Sequence, residues 1–224
     1  MKNFNLFALL VSFSLVLTSC STNENLLPEE QSLDLLKTYT VKRDANGAYS
    51  LDYHLNSNAK TESIVDESTN TNNIYLYSSD SQSGRKVTQD LSIDGTQLKV
   101  GFVDTNTDKS PNITITDDNF TLFKKNDNVK LKDYSISSNV DGTYTLDFSV
   151  KNKVRVDFVY NEEAKTYEVH LEEGKTSETN FSRVLEKEDG QPLRFDFVNH
   201  INNSKAKTNV DGLAIIRKPR GIII

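Results

Sequence analysis

The chain has 224 residues, with 26 Lys and Arg against 32 Asp and Glu, a net charge of −6, one Cys, no Trp and three His. A single cysteine excludes an internal disulfide framework and a thiolate zinc site. The acidic balance argues against nucleic acid as a partner, because phosphate binding requires a basic face that displaces counterions.

At the N-terminus, Lys2 precedes an apolar run from Phe4 to Leu17 that ends at Leu17-Thr18-Ser19-Cys20. The run is shorter than the ~20 apolar residues of a spanning helix. Charge, apolar stretch and small residues follow in the order of a cleaved secretory signal over residues 1–19. Leu17 to Cys20 resembles the lipobox of bacterial lipoproteins, and the sole cysteine of the chain falls where that pattern needs it. The resemblance covers residues 1–20 and no more. It implies a lipidated Cys20 with three acyl chains, a firm membrane anchor at ~0.8 kcal/mol per buried methylene. Ser21 stands where many inner-membrane lipoproteins carry Asp, so the same resemblance implies the outer membrane, with periplasmic or surface facing left open. Residues 20–36 are expected to be the lipidated cysteine and a tether, in which Pro28, Glu29 and Glu30 suit either the first turn of a short helix or a stalk.

The rest of the chain resembles itself at a spacing of 95 residues. Residues 37–53 laid on 132–148, and 94–103 on 189–198, give eleven identities in 27 positions, among them Tyr39/Tyr134, Tyr49/Tyr144, Asp52/Asp147 and Phe102/Phe197. This is the mark of an internal duplication. Asn46-Gly47, Asp94-Gly95, Asp141-Gly142 and Asp189-Gly190 supply the positive φ angles of two-residue hairpin turns. Flanking residues alternate as strands do: Tyr49, Leu51, Tyr53 and Leu55 against Ser50, Asp52 and His54, with Tyr144 to Val150 repeating the pattern. Further hairpins are expected over 63–67 with 74–78, 113–116 with 120–124, 154–159 with 167–171, and 205–210 with 213–218 around Asp211-Gly212. The expected fold class is all-β, with repeats at 37–131 and 132–224, each of about eight antiparallel strands forming a barrel or sandwich, or both halves joining in one composite sandwich. A single four-bladed propeller is the alternative, because propeller repeats run ~40–50 residues.

The catalytic constellations sought in the sequence do not assemble. His54 lies on the polar face of a strand. His170 alternates with Glu168 and Glu172, a pattern that reads as a solvated charged strand before it reads as a metal site. Asp52 and Asp147 are equivalent by the duplication and could meet as an acid/base pair, though outward polar residues inherited with the repeat explain them as well. No phosphate loop, nucleophile elbow or His-Glu-x-x-His helix is present, so no catalytic residue, metal or cofactor is expected. The candidate contact surface comprises Tyr75, Tyr77, Val103 and Val198, apolar residues in phase with polar faces. The basic and aliphatic tail Arg217–Ile224 is expected either to fold back or to dock elsewhere. These readings lead to a non-enzymatic envelope lipoprotein, anchored to the membrane through Cys20, whose duplicated β module binds a protein or glycan partner. A lipocalin-like carrier of a small apolar ligand is the alternative.

Overall fold

The computed structural model describes residues 35–80, 84–91, 98–106, 110–117, 129–188, 190–201 and 206–218. The signal, Cys20, most of the tether, Asp94-Gly95, the 120–124 strand, Asp189 and the 219–224 tail lie outside these residues. Fourteen strands form: β1 (Leu36–Arg43), β2 (Tyr49–Leu55), β3 (Ala59–Asp66), β4 (Thr71–Ser78), β5 (Lys86–Leu91), β6 (Leu98–Asp104) and β7 (Ile113–Asp117). The second half supplies β8 (Leu131–Ser138), β9 (Tyr144–Val150), β10 (Val154–Asn161), β11 (Thr166–Glu173), β12 (Asn180–Leu185), β13 (Leu193–His200) and β14 (Lys207–Arg217). β1 to β4 and β6 each recur 95 residues later as β8 to β11 and β13.

The fold is all-β, as its alternating sequence requires, and its strands lie in two sheets with no closed barrel. One sheet runs β12-β9-β8-β1-β2-β5 and the other β10-β11-β13-β14-β7-β6-β4-β3. Each half contributes three strands to the first sheet and four to the second. The halves meet where β1 pairs antiparallel with β8 and β7 with β14, an approximate twofold through Val41/Ile136 and Thr116/Ala214. The result is one composite sandwich. The pairing is not wholly antiparallel: after β4 the chain crosses to the other sheet as β5, then returns as β6 beside β4, so β4/β6 and the equivalent β11/β13 run parallel.

The apolar sides of both sheets close on a single core. Tyr39 lies 5.3 Å from Phe102, and Tyr53 lies 5.8 Å from the same ring; the equivalent pairs Tyr134/Phe197 and Phe148/Phe197 are 5.2 and 5.3 Å apart. Such tilted and edge contacts contribute ~0.5–1.5 kcal/mol each beyond burial. Their recurrence shows that the duplication preserves packing as well as sequence.

Two turn expectations need correction. The β1–β2 and β8–β9 connections are longer than two residues: Gly47 N–H donates to Asp44 C=O at 3.0 Å and Asp44 N–H to Ala48 C=O at 2.9 Å, with Asn139, Gly142 and Thr143 repeating the arrangement. The glycines take φ of 85° and 87°, the left-handed residue that follows a tight turn in longer hairpin loops. Asp211-Gly212 is no turn at all. It lies inside the continuous strand β14, where a Cβ on Gly212 would come within 2.3 Å of Asp196 Oδ1 and 2.6 Å of the Phe195 carbonyl. Close approach to β13, not a positive φ, explains that glycine.

Candidate functional site

The outer face of the six-stranded sheet is a carpet of short polar side chains. One cross-strand row reads Ser182, Asp147, Ser135, Lys42, Ser50 and Asp90; the next reads Val184, Thr145, Ser137, Thr40, Asp52 and Thr88. Over β12, β9, β8 and β1 this face forms a trough of about 640 Å³ lined by Asp133, Ser135, Asp147, Ser149, Asn180 and Ser182, among others. Phe181, stacked on Phe148 at 5.2 Å, forms part of its wall. Asp52 and Asp147 share the face but do not meet, because β1 and β8 stand between their strands and the two lie in adjacent rows, which puts them roughly 16 Å apart at ~4.8 Å per strand and ~3.4 Å per residue. Asp52 is paired with Lys42, whose ammonium holds the carboxyl below its ordinary range.

On the outer face of the eight-stranded sheet the two halves differ. In the first half Tyr75 and Tyr77 point outward while Ile74 and Leu76 are fully buried. Tyr75 stands beside Val103 by ladder register, and Lys60 Nζ lies 5.7 Å from the Tyr77 ring. Val103 and Val198, read as apolar residues on a wet face, are 1% and 2% exposed, so the chain itself covers them. Val198 sits on β13, separated from β6 by β14 and β7, and so does not join the tyrosines. In the second half, the places of Tyr75 and Tyr77 are taken by His170 and Glu172. His170 Nδ1 lies 2.7 Å from His200 Nε2, and His170 Nε2 lies 2.8 Å from Glu168 Oε2. His200 Nδ1 faces Glu172 at 3.9 Å. Among the described residues no group of three or more His, Cys, Asp or Glu side chains could hold a metal ion between them.

Between the sheets lies a cluster of buried charge. Arg43 Nε pairs with Asp211 Oδ2, and both side chains are 1% exposed. Tyr49 Oη lies 2.8 Å from Asp211 Oδ1, 3.0 Å from Asp117 Oδ2 and 3.0 Å from Tyr134 Oη, while Tyr134 donates to Asp211 at 3.1 Å. Burial pushes the Asp211 carboxyl above its ordinary range, against the pull of Arg43 and the two hydroxyls; burial and the two carboxylates push Tyr49 up as well. The equivalent place in the other half is built differently: Tyr144 and Tyr39 approach at 3.3 Å, Ser138, where the first half has Arg43, accepts the Tyr39 N–H at 2.9 Å, and the Arg217 guanidinium lies beside the Tyr39 hydroxyl.

Sequence reasoning missed this cluster and the His170/His200 contact. Arg43 carried a signal, because it continues the inward phase of Tyr39 and Val41. The histidine pair carried none, since 30 residues and a parallel crossover separate its members.

Fold and surface together define a duplicated two-sheet β-sandwich with a polar trough on one outer face and divergent wings on the other. Comparison of the chain with protein families, with curated proteins and with solved structures finds no match to any. Among the described residues no helix is long and apolar enough to cross a membrane.

Proposed function

We propose that the chain is a non-enzymatic lipoprotein of the cell envelope, tethered through Cys20 to the outer membrane, and that its duplicated sandwich binds a glycan or protein partner at the membrane surface. The observation that carries this reading is the trough. Hydroxyls, a carboxamide and carboxylates line a depression, and such a density of hydrogen-bonding groups suits a hydroxylated ligand. This favours the glycan. The lipocalin-like alternative gains no support from the interior, where Tyr39, Tyr53, Tyr144, Phe102, Phe195 and Phe197 fill the space between the sheets.

Asp147 and Asn180 are exposed, so replacing both with Ala is expected to leave the melting temperature within the small range of surface substitutions, ~0.5 kcal/mol. The double variant should nevertheless lose retention on an immobilised envelope-glycan panel that holds the parent. Retention of both proteins alike would overturn the trough as the site. Tyr75→Ser/Tyr77→Ser serves as the comparison: loss of a protein partner in that variant alone would move the contact to the other sheet. A Cys20→Ser chain is expected to leave the membrane fraction, and equal membrane recovery would remove the anchor.

A further inference from the structure

We propose that His170 and His200 form an open, two-imidazole site for a divalent transition-metal ion, on the outer face of the eight-stranded sheet and separate from the trough. His170 alone on its strand reads as a solvated charged residue. The tertiary structure adds His200 from β13, the parallel neighbour of β11, and turns the two rings nitrogen to nitrogen at 2.7 Å.

Their outer nitrogens are backed by carboxylates. Glu168 Oε2 stands 2.8 Å from His170 Nε2, and Glu172 Oε1 stands 3.9 Å from His200 Nδ1. A metal-binding histidine is oriented by an acceptor on its outer N–H, which leaves the other lone pair facing the ion; Glu168 is that acceptor for His170, whereas Glu172 stands beyond hydrogen-bond distance of His200 and adds negative charge there. The carboxylates are themselves held in place. Asn161 Nδ2 donates to Glu168 Oε1 at 2.7 Å and, as the principal cause, keeps that carboxyl below its ordinary range, while Arg155 pairs with Glu172.

Two nitrogens on one tetrahedral zinc, each bonded at ~2.0–2.1 Å, are roughly 3.3 Å apart, so the rings need to part by about 0.6 Å. The side chains are 17% and 28% exposed, which leaves water to complete the coordination and makes the site exchangeable. Imidazole favours Zn, Cu and Ni over Ca or Mg. The equivalent positions in the first half, Tyr75 and Thr105, offer no imidazole, so one ion per chain is expected.

The test uses the full chain in detergent at mildly alkaline pH. Zn(II) titrated by calorimetry should bind with one-to-one stoichiometry. His54→Gln, which alters a histidine on the other sheet, should bind equally, whereas His170→Gln and His200→Gln should each weaken binding at least ~10-fold. Glu168→Gln should weaken it by less than either, as the loss of an orienting partner and not of a ligand. Substoichiometric Cu(II) gives a readout on the unaltered chain, broadening the imidazole resonances of His170 and His200 before those of His54. Absence of one-to-one Zn(II) binding, affinity indifferent to His170 and His200, or equal broadening of all three histidines would overturn the proposal.

Discussion

The two halves of this sandwich are alike where they face each other and unlike where they face water. Tyr39 and Phe102 repeat as Tyr134 and Phe197 at nearly the same separation, because a close-packed interior penalises any change of volume. On the outer face the same pleats carry Tyr75 and Tyr77 in one half and His170 and Glu172 in the other. There a side chain can change without disturbing its neighbours. Between these extremes lies the buried polar seam, where Arg43 and Asp211 join the first half's end of β1 to the second half's β14, while the equivalent place holds Ser138 and a tyrosine pair with Arg217 beside Tyr39. The scaffold repeats between the halves, and the buried polar groups between the sheets do not.

The largest effect that would break this comparison is at Arg43. Arg43→Met leaves Asp211 buried without its counterion and is expected to cost about 3–5 kcal/mol in urea unfolding. Adding Asp211→Asn should restore much of that loss, and a double variant no more stable than the single one would show that the pair is not coupled. The equivalent tyrosines sharpen the contrast. Tyr49→Phe removes a donor to a buried carboxyl and should cost about 1.5–3 kcal/mol, whereas its equivalent Tyr144→Phe removes a contact with the Tyr39 hydroxyl and should cost about 1 kcal/mol. Equal losses would mean that the charges in the first seam do nothing the second lacks.

The smallest effect is a pH dependence. Because burial raises the Asp211 carboxyl above its ordinary value, the folded chain keeps that proton to higher pH than the unfolded chain. Its contribution to stability is therefore present below the unfolded value of about 4 and is lost as pH rises through the folded value. The stability gap between the parent and Asp211→Asn should narrow over that window. A gap that widens with pH would show that Arg43 wins over desolvation.

Much of the architecture was legible in the residues themselves. The period-two alternation of Tyr49 to Leu55 and of Tyr144 to Val150 named the buried faces, and the hairpins at β3–β4 and β10–β11 fall where the sequence places them. Asp211-Gly212 misled, because an Asp-Gly pair has the same signature whether glycine serves a positive φ or the close approach of a neighbouring strand. Only Asp196 and Phe195, sixteen residues or so upstream, distinguish the two. The trough was equally hidden: Ser182, Asp147, Ser135 and Lys42 lie in one row only after four strands are put in order.

Sequence alone determined that this chain is built of strands, that it contains the same unit twice, and which side of β2 and β9 turns inward, since all three follow from local periodicity and self-similarity. Tertiary structure decided which strands share a sheet, that the two units close on one core, that Arg43 is buried against Asp211, and that His170 meets His200. A strand exposes the same backbone donors and acceptors to any partner, so its neighbours are selected by the packing of the whole sandwich, and every surface that depends on neighbouring strands is selected with them.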